Sequence, residues 1–203
     1  ATDKSAIAQT LAALENLPGY RLDVQYYNPS ELEEQLIQKK LDYFIGTSGF
    51  YRRFQSFGLR SVATLFTETA PNPRYATGSV FVVRNDSPIK TISELKGKSA
   101  LASWSKGFSS YFAPMGEISK QGFDPESFFA AYKTYGPPMT NLLQKLENHE
   151  GDVVLIRACL LEDLEKTQPD IFKRFRVLEE KKDNRLRCKH STDLYPNWTL
   201  VAT

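Results

Sequence analysis

Residues 151–164 read GDVVLIRACLLEDL. The run from Val153 to Ile156 is apolar without alternation, the pattern of a strand buried on both faces. Arg157, Ala158 and Cys159 interrupt it, and a helix is expected over 160–166. A buried strand passing through a short polar turn into a helix is the repeating unit of an α/β fold.

Working outward, the same alternation recurs. Strands are expected over 79–84, 99–103, 130–135 and 175–178. Met139, Leu142, Leu143 and Leu146 form the apolar stripe of a helix ending near Gly151. Thr91 and Glu94 have capping-box spacing. Toward the start, a helix is expected from Thr2 or Asp3 through Ile7, Leu11 and Leu14, stopped by Pro18-Gly19. A strand over 21–27 follows, then a helix opened by Asn28-Pro29-Ser30. There Ser30 and Glu33 stand in capping-box spacing, and Leu32, Leu36 and Ile37 share a face. Strands over 41–45, 61–66 and 199–202 complete the pattern, Pro71 to Arg74 form a loop able to reach over a cleft, and the charged stretch 179–187 reads as solvated loop. The fold class expected is α/β with mainly parallel sheets in two lobes, residues 1–83 plus 180–203 and residues 84–179. Crossings near 81–85 and 177–181 would hinge a cleft between them.

Composition narrows the function. Across 203 residues, 26 Lys and Arg against 24 Asp and Glu leave a net charge of +2, too balanced for a phosphate-backbone binder, so nucleic acid is not an expected partner. No apolar stretch approaches the roughly 20 residues that span a bilayer. The first 14 residues lack the order of a signal peptide, so a segment excised from a longer chain is expected. Two histidines and two cysteines without ligand spacing argue against a metal site. No nucleophile elbow, phosphate-binding loop or zinc-protease motif is present, and Cys159 with His190 makes only a weak dyad, so no catalytic residue and no cofactor is expected.

Two loops could carry ligand chemistry. Trp104 to Ser110 lies between a strand and a helix, and Ser105, Lys106, Gly107, Ser109 and Ser110 offer hydroxyls, one ammonium and backbone amides to an anion. Pro114 is best tolerated in a first turn and would place the helix start beyond Ser110. Thr47, Ser48 and Tyr51, after the strand 41–45, could supply further hydroxyls from the other lobe. Arg157 at the end of the buried run could bind a carboxylate, phosphonate or sulfonate, or pair with an internal carboxylate. Cys159 and Cys188 could close a disulfide, remain two thiols, or serve as a redox pair.

Four stretches together carry a family likeness: LPGYRLDVQYYNPSELEEQLIQKKLDYFIGTSGFY (17–51), SVFVVRNDSPIKTISELKGKSALAS (79–103), GDVVLIRACLLEDL and CKHSTDLYPNW (188–198). They resemble the phosphonate-binding-like branch of type II periplasmic binding proteins, and within it the periplasmic sensor domains of tetrathionate-sensor-like histidine kinases. His190, Ser191, Thr192, Tyr195, Pro196 and Trp198 carry the match in the tail. The resemblance implies two α/β lobes hinged around a ligand cleft. Ligand contacts would come from Thr47, Ser48 and Tyr51 and from the loop Ser105 to Ser110; His190, in the tail match, is a further ligand-binding candidate. It also implies a strand before the first helix, so residues preceding Ala1 are expected to be missing. Ser109-Ser110 stands where relatives often carry two glycines, and Pro137-Pro138 where a small residue and a histidine are common.

The expected function is recognition of a small, anionic solute by a periplasmic sensor domain, tethered to the inner membrane through a histidine kinase in the same chain. A solute-binding protein of an ABC transporter is the first rival. The effector domain of a cytosolic regulator and an enzyme on this fold are more distant ones.

Overall fold

The computed structural model describes Ala12, Gly19 and residues 21–203. The chain divides into two compact units, residues 1–42 and 43–203. The helix expected over residues 2–14 lies outside the described residues, except that Ala12 is helical.

In the first unit, helix α1 spans Pro29–Ile37. Its cap is Asn28, not Ser30: the Asn28 side chain accepts from the Ser30 and Glu31 amides, and the Glu31 carboxylate accepts from the Asn28 amide at 2.8 Å. Pro29, with its fixed φ and missing donor, suits the first helical position and sets the start two residues earlier than the serine does. Residues 21–27 form no strand. Leu22, Tyr26 and Tyr27 are exposed there, and alternation alone does not make a strand, which also needs ladder pairing with a neighbouring backbone.

The second unit contains two sheets. One orders β1 (Tyr43–Gly46), β8 (Thr199–Ala202) and β2 (Arg60–Thr64), and both its ladders are antiparallel. Phe44 and Val201 face inward while Tyr43 and Ile45 remain exposed, as expected of a sheet covered on one face. The other sheet orders β5 (Ala131–Thr134), β4 (Ser99–Ala102), β6 (Val153–Arg157), β3 (Ser79–Arg84) and β7 (Phe175–Val177). Its β5-β4-β6 part is parallel, whereas β3 runs antiparallel to both neighbours. The expectation of mainly parallel sheets therefore holds only where strand–helix–strand crossovers connect neighbours. β3 and β8 enter their sheets from distant parts of the chain and run against them.

Burial explains why β3 and β6 lack alternation. Val80, Val82, Val154 and Ile156 face a layer with Leu142, Leu143 and Leu146 of α4 (Thr140–Glu147), joined by residues of α5 (Leu160–Glu165) and α6 (Ile171–Arg174). Phe81, Val83, Val153 and Leu155 face the opposite layer with Met115 and Ile118 of α3 (Ala113–Lys120). Both faces are dry, so Val80 to Val83 and Val153 to Ile156 are apolar without alternation. Gly151 is required at the entry to β6, because a Cβ there would lie 2.6 Å from Leu101 Cδ2.

Pro114 occupies the first turn of α3, preceded by a π-type turn, Phe108–Phe112. The segment around Pro71 to Arg74 is tied to the tail, the Pro73 carbonyl accepting from the Asn197 amide at 3.2 Å. Thr69 accepts from the Arg187 amide at 2.8 Å, and Ala70 is buried against Ala158, Cys159, Leu186, Cys188 and Leu194.

Candidate ligand-binding cleft

Helix α2 (Ser48–Arg53) starts directly after β1, capped by Thr47, whose Oγ1 accepts from the Phe50 amide at 3.2 Å. Ser48 Oγ donates to the Pro196 carbonyl at 2.6 Å. Tyr51 is half-buried on the same helix. Gly49 leaves room for Phe108 of the opposite loop: a Cβ at position 49 would lie 2.5 Å from the Phe108 ring. That ring also meets Tyr195 edge-on at 5.1 Å between centroids. Phe108 thus fills the space between α2 and the tail.

The loop 104–112 is held from behind by its own polar groups. Ser110 Oγ donates to the Trp104 carbonyl at 2.9 Å, and a Cβ on Gly107 would lie 2.3 Å from that hydroxyl, so a larger residue there would displace it. Tyr132 donates its phenol to the Ser110 carbonyl. Burial, with Tyr111 nearby, pushes that phenol well above its ordinary value, so it remains a donor throughout the neutral range. Ser79 Oγ sits between the carbonyls of Ser109 and Ile156, 2.9 Å from the latter. Removing the Tyr132 hydroxyl leaves the Ser110 carbonyl without this donor, and Tyr132→Phe should lower stability by about 0.5–1.5 kcal/mol. Urea unfolding of the two proteins measures it, and an unchanged midpoint would show the loop anchored without Tyr132.

In front of this loop lies an open depression of about 370 Å³, lined by Arg53, Ser105, Lys106, Tyr111 and Phe112. Ser105 and Lys106 are exposed, and Lys106 makes no ion pair among the described residues. The Arg53 guanidinium lies over the Phe54 ring at 4.5 Å from its centroid. Lys106, Arg53 and two aromatic rings line it with no carboxylate among the described lining residues, an arrangement suited to an anion. A second cavity, of about 280 Å³ between α4 and α6, also holds an arginine. There Arg174 is already bound to Glu147 at 2.8 Å and to Gln168 at 2.7 Å, so its charge is spent internally.

Ser105 and Lys106 thus meet at the depression, while Gly107, Ser109 and Ser110 shape the loop behind it and Thr47 and Ser48 use their hydroxyls within the fold. Arg157 lies elsewhere: it donates to Asp163 at 2.7 Å and to the Ala158 carbonyl at 3.2 Å. Burial alone would raise the Asp163 carboxyl, but the contacts with Arg157 and Lys166 outweigh it and hold the group below its ordinary value. His190 is 1% exposed, with Nδ1 2.8 Å from the Thr192 carbonyl and Nε2 3.5 Å from Asp183. Arg185 holds the Asp183 carboxyl down, to about 2. Cys159 and Cys188 form a disulfide.

Arg53, Tyr111 and Phe112 escape sequence reasoning. Arg53 stands only two residues beyond Tyr51, in the last turn of a helix that Gly46 to Tyr51 present as a turn. Phe112, two residues before Pro114, reads as a core residue yet is 42% exposed.

Residues 3–203 match the model of the ABC transporter phosphonate periplasmic substrate-binding proteins. The chain belongs to this family. Phosphonate-type periplasmic binding domains are non-catalytic ligand-capture modules of type II periplasmic-binding-protein fold, and family membership implies a periplasmic setting. The chain is 28% identical over 198 residues to the tetrathionate sensor histidine kinase TtrS of Salmonella typhimurium, covering 97% of this chain and 33% of that one. It therefore spans about a third of the curated relative it matches. A Xanthomonas citri protein bound to ATP superposes with a TM-score of 0.72 at 19% identity, covering 98% of this chain and 71% of the other. The binding component of an ABC phosphonate transporter from Pseudomonas aeruginosa gives 0.65 at 17% identity, covering 98% and 63%. The aliphatic sulphonate binding protein SsuA of Escherichia coli gives 0.59 at 17%, covering 98% and 57%.

Proposed function

We propose that this phosphonate-type binding domain is the sensor region of a two-component histidine kinase, tethered to the inner membrane in the full-length protein, and that it recognises a small anionic solute in the cleft containing Lys106 and Arg53. The observation that carries the sensor reading is the likeness to TtrS along 97% of the chain. The anion reading rests on Lys106, exposed in the depression and without an ion pair among the described residues. The lobes that close on the solute are read as residues 1–83 with 180–203 and residues 84–179; the two separate sheets support a two-lobe division, while β3, whole within the five-stranded sheet, favours a crossing before Ser79 in place of 83. Ligand shifts the lobes only by its differential affinity for the closed state. The second reading, a solute-binding protein serving an ABC transporter, is favoured by the family match and by the phosphonate and sulphonate binding neighbours.

Thermal unfolding against tetrathionate, thiosulfate, sulfate, phosphate, phosphonates and carboxylates tests recognition. A ligand at 100 times its Kd adds about 2.7 kcal/mol, a rise of several degrees for a chain of this size. Lys106→Ala should weaken the responding anion about tenfold, roughly 1.4 kcal/mol, while Lys182→Ala, already paired with Glu180 at 3.0 Å, should not. No response to any anion sinks the anion reading. Ligand-dependent autophosphorylation of the full-length protein in proteoliposomes separates sensor from transporter component.

A further inference from the structure

We infer that the cleft selects organic anions with a flat aromatic body over bare oxyanions and alkyl anions, an inference that rests on the anion-recognition reading above. A bare oxyanion is held best by a cage of hydroxyl and amide donors that replaces its hydration shell. Of the residues lining the depression Ser105 alone brings an aliphatic hydroxyl, and one hydroxyl is not a cage. Ser110 donates to the Trp104 carbonyl, Ser48 to the Pro196 carbonyl, and Thr47 accepts from the Phe50 amide. Beside the loop, Phe108 fills the space against Gly49 and Tyr195.

What remains open is the depression beside that plug. Its charge comes from Lys106 and Arg53 and its apolar wall from Tyr111 and Phe112. Tyr111 is fixed by edge-on contacts with Phe112 at 5.4 Å and Tyr132 at 5.7 Å between centroids. This orders the aromatic wall before a ligand arrives. The volume of about 370 Å³ falls within the roughly 300–1,000 Å³ of small-molecule sites. A ring lying on Phe112 gains offset or edge-on contact, while its anionic group meets the Lys106 ammonium. An exposed phenylalanine beside an unpaired lysine is then accounted for by a ligand that has both parts.

Calorimetric titration of the domain with phenylphosphonate, benzenesulfonate, methylphosphonate and sulfate tests this. The aryl anions should bind at least tenfold more tightly than methylphosphonate and sulfate. Phe112→Ala should remove most of that difference and leave the affinity for methylphosphonate within about twofold. Lys106→Ala should weaken every anion that binds. Retained unfolding midpoints establish that each variant folds, and Phe112→Leu, which keeps apolar area without a ring, should lose the aryl preference only partly. Equal or tighter binding of methylphosphonate or sulfate, or an aryl preference untouched by Phe112→Ala, overturns the inference while leaving anion recognition standing. Binding of none of the four, nor of any anion in the thermal panel, overturns both.

Discussion

Replacing both half-cystines, Cys159→Ser with Cys188→Ser, should lower the stability of the domain by about 3–4 kcal/mol, roughly 6–16 °C in Tm. The bond links residues 29 apart in sequence, and a closed loop of that length removes a large share of the unfolded chain's conformations. The native contacts around it also matter. The sulfurs sit in an apolar cluster with Ala70, Ala158, Leu186 and Leu194, where two serine hydroxyls would lack partners. On either side of Cys188, the Arg187 amide donates to the Thr69 carbonyl at 2.8 Å and the Lys189 amide to Glu162 at 2.7 Å. The bond therefore fastens the start of α5 to the returning segment 187–189. Reductant should bring the wild-type midpoint down to that of the double variant and leave the variant unmoved. If wild-type protein with fully reduced thiols unfolds at its oxidised midpoint, the bond contributes nothing and the surrounding contacts hold the segment alone.

That pairing also marks the limit of what sequence carries. A separation of 29 residues is compatible with a bond, with two thiols or with a redox pair. What decides it is the meeting of the β6–α5 turn with a segment from the far end of the chain. Local features were legible because their causes are local. The central runs of β3 and β6, Val80 to Val83 and Val153 to Ile156, are apolar since both their faces are buried, α4 shows its stripe at helical spacing, and Pro114 marks the first turn of α3. The polar loop Trp104 to Ser110 was legible for the same reason, as small donors between a strand and a helix.

Pairings set by tertiary contact were not legible. Residues 21–27 alternate as a strand does, yet a strand needs a neighbour that alternation cannot supply. Arg157 stands at the end of a buried strand, where a ligand contact is plausible. Asp163, six residues later, captures it because Cys159 adopts a left-handed backbone, φ +68°, that turns the chain into α5. Phe112 reads as core because nothing in its neighbours reveals that the π-type turn rotates it outward. The motif His190-Ser191-Thr192 carries a family likeness, and its polar residues invite a ligand role, yet all three are buried.

The buried hydroxyl of Ser191 is instead a fastening between the two crossing segments, and Ser191→Ala should cost roughly 2–4 kcal/mol. Ser191 Oγ donates to the Leu178 carbonyl at 2.7 Å and accepts from the Phe81 amide at 3.3 Å, and its own amide donates to the Ser79 carbonyl at 2.9 Å. Thr192 Oγ1 accepts from the Ser79 amide at 3.0 Å. The ladder between β3 and β7 ends at Val82 and Val177. Beyond it the Leu178 amide still reaches the Phe81 carbonyl at 2.9 Å, and one hydroxyl serves the remaining amide and carbonyl. Alanine keeps the backbone bond of residue 191 but leaves a buried donor and a buried acceptor without this partner, each worth about 1–3 kcal/mol. Ser61→Ala, at an exposed position of β2, should stay within about 0.5 kcal/mol. Hydrogen exchange locates the effect: the Phe81 amide should lose protection beyond the global change, because its acceptor is gone, while the Leu178 amide should follow the global change alone. A loss below 1 kcal/mol with Phe81 still protected would mean that the strands are held by their packing, and that the hydroxyl at position 191 is incidental to the crossing.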